Sequence, residues 1–290
     1  MTIQLSSPEK CLIIGCGDIG QRLAQQLHTL GYRVTGLRRS INSDLTYLHY
    51  HSGDATDIEQ MSNLLTEEFN IIVISMTPSE RSDAGYQQAY VHSCRTLLKT
   101  LDLQQHKPRL ILFVSSTGVY AQQDGSWIDE TSPTTPEGFS GKRLLEAEQL
   151  IGQSGYAHTI VRFSGIYGPG RRRLIEQVRQ KSASASPHYT NRIHADDCAG
   201  VIAHLIELQR TQEIAPVYLA TDSSPTPMID VVTWIAEQLG IEDFLAPDAV
   251  NERGNKRISN QRLLASGYRF IHPDFRTGYA TLLASADHID

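Results

Sequence analysis

The run Cys11-Leu-Ile-Ile-Gly15-Cys16-Gly17-Asp18-Ile19-Gly20 holds three glycines at GxGxxG spacing, between an apolar run and the start of a helical pattern. At this spacing Gly15 allows a tight turn, Gly17 lets backbone approach a pyrophosphate, and Gly20 lets helix and strand pack closely. The helix start at Asp18, Ile19 and Gly20 offers bare N–H groups and a positive dipole end to an anion. The triplet therefore reads as a dinucleotide-binding loop, the bland alternative being a tight structural turn. Arg38 and Arg39 end the next apolar run, Arg38 lying 18 residues after Gly20, where an NAD-selective site places an acid on the ribose 2′-hydroxyl. Two guanidinium groups with no carboxylate suit a 2′-phosphate instead, so the expected cofactor is NADP rather than NAD. Asp54, after Gly53, is placed either to meet an adenine amino group or to serve as a plain turn residue.

These residues act together only if strands and helices alternate behind them. Predicted strands cover residues 10–14, 32–37, 48–52, 71–76, 109–115, 159–163 and 217–220, and predicted helices cover 19–30, 58–68, 85–101, 140–151 and 198–208. Short Ile/Leu/Val runs bounded by turn signals suit a parallel sheet covered on both faces. Their alternation with helical patterns is a βαβ series. The expected fold is α/β: a doubly wound parallel sheet of the NAD(P)-binding Rossmann kind with a small C-terminal substrate lobe. Residues 1–164, with 187–224 returning to them, would form the dinucleotide domain, and 165–186 with 225–290 the lobe. The small-residue stretch 182–186 reads as a mobile loop.

Composition narrows the class. The 290 residues are 40% hydrophobic and 20% charged with a net charge of −6, which argues against a nucleic-acid partner. A chain of this size buries roughly 75% of its unfolded surface and needs no covalent staple. Cys11, Cys16, Cys94 and Cys198 are scattered without a CxxC pair, the pattern of buried reduced thiols rather than a zinc site, so no metal is expected. No apolar run approaches the roughly 18 residues of a membrane span. A cytoplasmic protein without a membrane contact is expected.

Three further stretches join the glycine loop: Val114-Ser-Ser-Thr-Gly-Val-Tyr120, Arg162-Phe-Ser-Gly-Ile-Tyr-Gly-Pro169 and Asn191-Arg-Ile-His-Ala-Asp-Asp197. On these four the chain, from Cys11 to about Tyr279, resembles the extended short-chain dehydrogenase/reductase superfamily. The closest likeness is to its NAD-dependent epimerase/dehydratase group, especially the atypical branch. The resemblance implies that Ser116, with Ser115 beside it, takes the place of the family's catalytic Ser/Thr, which hydrogen-bonds the reacting oxygen. It also implies that Lys142 takes the place of the lysine that holds the nicotinamide ribose. The family's tyrosine stands four residues before that lysine, and here the position is Gly138, which has no side chain to move a proton. Tyr120, Tyr167 and Tyr189 are the candidate substitutes, with a proton from substrate or water as the other route, although each tyrosine reads more simply as a packing residue.

On the substrate side, Arg171-Arg172-Arg173 and Lys256-Arg257 are placed to meet an anionic group, or simply to face solvent. The Arg192–Asp197 stretch resembles a metal cluster at first sight, but its spacing fits a strand end and an N-capping Asp ahead of the 198–208 helix. The resemblance further implies a homodimer through helices 85–101 and 140–151. Two functions follow. One is an NADP-dependent oxidoreductase or epimerase/dehydratase-like enzyme acting on a small or nucleotide-linked sugar or carbonyl substrate. The other is a non-catalytic NADP(H)-binding redox sensor or partner-docking protein.

Overall fold

The most apolar runs of the sequence become the middle of a sheet. In the computed structural model, which describes residues 8–41, 44–184, 186–242, 244 and 254–284, seven strands form it. They are β1 (Lys10–Ile14), β2 (Arg33–Arg38), β3 (His49–Ser52), β4 (Ile71–Ile74), β5 (Leu110–Ser116), β6 (His158–Phe163) and β7 (Val217–Ala220). Their spatial order is β7-β6-β5-β4-β1-β2-β3, and the pairs of β1 with β2 and β4, β2 with β3, and β4 with β5 are parallel. Leu12 pairs with Thr35 on one side and Ile72 on the other. Strand order reverses between β1 and β4, and such a reversal opens a crevice beyond the carboxyl ends of the strands. The expected doubly wound α/β fold is the fold observed.

Helices follow the predicted pattern with shifted ends. Helix α1 (Asp18–Thr29) buries Ile19, Leu23 and Leu27, and α2 (Ile58–Leu64) is capped by Asp57, whose carboxylate accepts the N–H groups of Glu59 and Gln60. The single helix predicted over 85–101 is longer and interrupted: α3 (Asp83–Tyr86), a π-helical turn Gln87–His92, then α4 (Ser93–Gln104). Hydrophobic spacing does not register an extra residue inside a turn, so the sequence gives no sign of it. Helix α5 (Phe139–Gly152) completes the set on residues 136–161. All four cysteines are buried and free.

By internal contacts the chain divides into two units: residues 1–119, 136–161 and 199–217, and residues 120–135, 162–198 and 218–290. The second unit has its own core of Tyr167, Val178, Val231, Ile235, Phe275 and Tyr279. It draws on α6 (Arg173–Arg179), the start of α7 (Ala195–Leu208), α8 (Met228–Leu239), α9 (Gln261–Ala265) and α10 (Phe275–Ala284). Two expectations are corrected here. Helix α7 begins at Ala195 rather than Cys198, so Asp197 lies inside the first turn and is not its cap. Its fully buried carboxylate instead accepts from Ile271 N (2.7 Å), His272 N (2.9 Å) and Tyr268 Oη (2.9 Å), which ties down the 268–272 turn. Residue 185 of the stretch read as a mobile loop lies outside the described residues, but the stretch is held on both sides of it: Ala183 and Ser186 are buried, and Ser186 O accepts Ile229 N at 3.0 Å. Among the described residues, no helix is long and apolar enough to cross a membrane.

The same unit buries a polar knot. Arg192 is 6% exposed and hydrogen-bonds Tyr279, and Asp222 is 2% exposed. Asp222 Oδ1 accepts Ser224 N at 3.1 Å, while Oδ2 has no hydrogen-bond partner among the described residues. Burial pushes the Asp222 carboxyl up to about 7, against the pull of Ser224 N–H and the Arg192 charge; Asp274 and Asp197 add to the rise. A carboxyl whose folded pKa is raised stabilises the fold fully below its unfolded pKa, and that stability drains away as pH climbs through the folded value. At about 1.4 kcal/mol per pKa unit, the loss between about pH 4 and 7 amounts to on the order of 3–4 kcal/mol. Asp222→Asn is expected to melt with the native chain near pH 4 and above it at pH 8, the gap widening with pH in thermal scans. A gap independent of pH would contradict this account of the knot.

Candidate functional site

The turn between β1 and α1 is built to expose backbone. Gly15 has φ +79°, and a Cβ there would lie 2.7 Å from Ser75 O and 2.8 Å from Met76 Cα, so only glycine fits. Gly20 is glycine for packing, since its Cβ would meet Cys16 Sγ and Ile13 Cγ2 at 3.1 Å. Gly17 differs: its backbone is extended, and a Cβ would find only Gly15 O, at 4.0 Å. Among the described residues nothing demands glycine at 17, and its side is open to approach from outside. The N–H groups of Gly15 and Cys16 both go to Leu37 O (3.0 and 3.1 Å), and that of Gly17 goes to Gly15 O (2.8 Å). Backbone pairing within α1 resumes at Gln21, which donates to Gly17 O, and no side chain caps the helix. The amides of Ile19 and Gly20 thus have no backbone acceptor among the described residues, while Asp18, beside them, pairs with Arg22 at 2.9 Å. A helix start so arranged has the donors and the dipole end that suit an anion.

A cavity of about 280 Å³ opens in front of this turn, lined by Gly15, Gly17, Arg38, Arg39, Asp54 and Met76 among others. Arg38 is half-buried with its guanidinium 5.9 Å from the centre of the Tyr50 ring, and Arg39 is exposed. Neither has a carboxylate within 4.0 Å among the described residues. Asp54 Oδ1 accepts Thr56 N (2.9 Å) and Thr56 Oγ1 (2.8 Å), so one carboxylate oxygen is spent on the turn while the residue also lines the cavity. Burial pushes the Cys16 thiol up to about 12 despite the nearby Arg38 charge, which leaves it an inert packing group. Sequence reasoning missed the opposite wall, made by Met76, Thr77 and Ser79 after β4 and by Gly85, Gln88 and Ala89 around the π-helical turn. Gln88 Nε2 donates to Thr56 Oγ1 at 2.8 Å, joining the two walls. The one visible signal was Gly85 inside a helical pattern; a Cβ there would meet Glu80 O at 2.5 Å.

Ser116 ends β5, and its Oγ accepts Gly118 N at 3.1 Å, so its own proton remains available to a ligand. Ser115 is committed elsewhere, donating to the buried Glu148 of α5 at 2.5 Å, a pairing the sequence did not reveal. The first turn of α5 presses on the turn after Ser116: a Cβ on Gly141 would lie 2.5 Å from Gly118 O. Lys142, next to Gly141, is exposed and has no carboxylate within 4.0 Å among the described residues. Gly138 precedes α5 with ordinary extended backbone (φ −80°, ψ 154°), and a Cβ there meets nothing within 4 Å. The fold would accept a tyrosine at 138. Tyr86 packs edge-on against Phe139 at 5.5 Å, beside the vacant position.

In the second unit, the candidate substitute tyrosines are buried or half-buried, and the Tyr167 hydroxyl has no hydrogen-bond partner among the described residues. Tyr120 is 2% exposed, and its hydroxyl donates to Asp129 O (3.1 Å) and accepts from Arg162 Nη1 (2.5 Å). Burial raises the Tyr167 phenol far above its ordinary value, and its ring stacks on Tyr279 at 4.5 Å. Tyr189 is half-buried under the Arg257 guanidinium. The Arg171–Arg173 run marks the start of α6. His194, Asp196 and His272 gather with ligand-type atoms within 4.8 Å, although His194 Nδ1 already accepts Asp196 N at 3.3 Å.

Residues 11–216 match the NAD dependent epimerase/dehydratase family. The chain belongs to that family. A solved structure of a candidate NAD-dependent epimerase/dehydratase from Methylobacillus flagellatus is 40% identical, with a TM-score of 0.83 over 97% of this chain and 100% of that one. Protein YeeZ of Escherichia coli is 28% identical over 92% of this chain and 97% of its own length. MoeE5, solved in complex with UDP-glucuronic acid and NAD, shares the fold at 20% identity and a TM-score of 0.79, over 96% of this chain and 99% of that one.

The two glycines make opposite predictions. Gly15→Ala is expected to destabilise the chain by about 2 kcal/mol or more, from left-handed strain and the Ser75 contact. Gly17→Val is expected to leave the melting temperature within about 2 °C while lowering affinity for nicotinamide dinucleotides at least about tenfold. Thermal melts and calorimetric titrations of both variants check this, and a Gly17→Val chain that binds normally would contradict it.

Proposed function

We propose that this family member binds NADP(H) and acts as an oxidoreductase or epimerase/dehydratase-like enzyme on a small or nucleotide-linked sugar or carbonyl substrate, without the usual catalytic tyrosine. The observation that carries the cofactor reading is the shared cavity. Bare helix-start amides at Ile19 and Gly20 suit a pyrophosphate, while Arg38 and Arg39, without counter-ions among the described residues, line the same space that Gly15 and Gly17 open. A 2′-phosphate supplies the charge those guanidinium groups lack, whereas a plain ribose hydroxyl does not. Asp54, with one oxygen spent on its turn, is left to meet the adenine amino group.

When bound, the nicotinamide supplies hydride exchange at a substrate carbon. The Ser116 hydroxyl, its oxygen already receiving Gly118 N–H, donates to the substrate oxygen whose carbon reacts. Lys142 holds the nicotinamide ribose through its ammonium and biases nearby oxygens towards the ionised form. With no phenol at 138, the proton passes to water or to a substrate group. A nucleotide-linked substrate accords with MoeE5, a protein of the same fold solved with UDP-glucuronic acid and NAD.

The glycine at 138 also favours a second reading, a non-catalytic NADP(H)-binding redox sensor or docking protein. The test separates them. NADPH is expected to bind at least about tenfold more tightly than NADH, and Arg38→Asp to remove that preference while sparing NADH. An unchanged ratio in the variant would overturn the 2′-phosphate assignment. Tritium transfer from labelled NADPH to a panel of sugar nucleotides and carbonyl compounds marks the enzyme. Tight NADPH binding with no transfer to any of them marks the sensor.

A further inference from the structure

The second unit gathers two imidazoles and a carboxylate at one corner. His194 ends the short strand Arg192–His194, Asp196 stands in the first turn of α7, and His272 comes from the turn before α10. One ligand-type atom from each lies within 4.8 Å of those of the other two. The His194 and His272 ring centres are 4.0 Å apart, with the rings tilted by 51°. Both histidines are buried, whereas the Asp196 side chain is 39% exposed and leaves a way in from solvent. None of the three lines the cofactor cavity.

The frame under these side chains is fixed. His194 pairs in register with Tyr167, and a Cβ on Gly168 would sit 3.4 Å from His194 Nε2, so that edge of the ring is packed. The other edge faces Asp196: Nδ1 accepts Asp196 N at 3.3 Å and lies 3.5 Å from Asp196 Oδ2. An acceptor nitrogen presents its lone pair, and that is the form of imidazole that ligates a metal. The 3.5 Å gap is too long for a charge-assisted hydrogen bond, which closes to about 2.7–2.9 Å. Two donors each about 2.1 Å from a shared ion stand 3.5 Å apart when the angle between them is about 113°, close to tetrahedral. Asp197 brings in the third donor. Its carboxylate holds the Ile271 and His272 amides against the first turn of α7, the turn that carries Asp196.

The geometry points to a binding site for one divalent transition ion of the zinc type, held by His194 Nδ1, an Asp196 oxygen and a ring nitrogen of His272. Two imidazoles and a carboxylate suit cations such as Zn²⁺ and Co²⁺, whereas Mg²⁺ and Ca²⁺ favour oxygen donors alone. The ion replaces the long Asp196 N–H contact at His194 Nδ1, and three protein donors leave a fourth position for water on the open Asp196 side. Bound there, it cross-links the strand, the start of α7 and the 268–272 turn. Cysteine spacing and a helix-start pattern give no reason to expect a metal here, because His272 arrives from a distant segment. Nothing in this site depends on the dinucleotide.

The full chain, stripped with EDTA and kept reduced, is titrated with Zn²⁺ by calorimetry and with Co²⁺ by visible absorption. One ion per chain is expected to bind saturably, with the bands of four-coordinate cobalt and no thiolate-to-cobalt charge transfer. Mg²⁺ is expected to give no saturable heat. Saturating Zn²⁺ is expected to raise the melting temperature by at least about 3 °C. Asp196→Asn and His272→Gln are each expected to weaken Zn²⁺ binding at least about tenfold, and a cooperative melt in EDTA shows that each variant is folded. The native chain supplies a measurement that needs no variant. Long-range ¹H–¹⁵N NMR is expected to shift the ring nitrogens of His194 and His272 at the first equivalent of Zn²⁺, ahead of the other histidines. The site is overturned if Zn²⁺ does not bind saturably, if a folded variant binds it as the native chain does, if charge transfer places cobalt on a cysteine, or if other histidines respond first.

Discussion

One carbonyl organises the cofactor end of the first unit. Leu37 O, at the end of β2, accepts the amides of both Gly15 and Cys16, so the turn after β1 is pinned to the neighbouring strand two residues before its charged end is complete. The residue after Leu37 is Arg38. The turn that bares helix-start amides and the guanidinium pair that lines the same cavity are therefore held by one backbone junction. Glycine makes the junction possible from both sides. A Cβ on Gly36 would lie 2.8 Å from Cys16 Sγ, and one on Gly20 would lie 3.1 Å from it, so the small thiol fills the space both glycines vacate. Any bulkier residue at 16, 20 or 36 moves the turn, and with it the spacing between the helix-start amides and the guanidinium pair.

Much of this was legible because it is local and periodic. The strands 10–14 and 217–220 carry the predicted bounds, and the GxGxxG turn announces its geometry through residue type alone. The features that escaped depend on contacts between distant segments. The Ser115–Glu148 hydrogen bond joins a strand to a helix 33 residues on. The π-helical turn at Gln87–His92 leaves no trace in hydrophobic spacing, yet it helps place Gln88 and Ala89 at the cavity wall. Asp197 looked like a cap because acids before apolar helices usually are caps, but tertiary demand for its carboxylate at Ile271, His272 and Tyr268 prevailed. The Trp127–Arg257–Tyr189 stack unites residues from three separate segments, and no sequence pattern links them.

On the proposed reading, Gly138 stands where the family resemblance implies a tyrosine. The backbone there is unstrained and a Cβ would meet nothing within 4 Å among the described residues, so the fold does not forbid a larger side chain at 138. What remains nearby is a serine hydroxyl with a proton to donate, an exposed lysine, and an aromatic pair of Tyr86 and Phe139 bordering the gap. Such a set orients an oxygen well and moves protons poorly. That balance explains why one arrangement supports two functional readings that share a cofactor and diverge only in turnover.

The central claim is that the amides of Ile19 and Gly20 and the Arg38 and Arg39 guanidinium groups contact the two ends of one ligand. Two-dimensional ¹H–¹⁵N NMR during parallel titrations with NADP⁺ and NAD⁺ tests it most directly. The account predicts that both ligands shift the Ile19 and Gly20 amides, and that only NADP⁺ shifts the Arg38 and Arg39 Nε–H resonances by a comparable amount. Arginine resonances that respond equally to the two ligands, or helix-start amides that respond to neither, would contradict it.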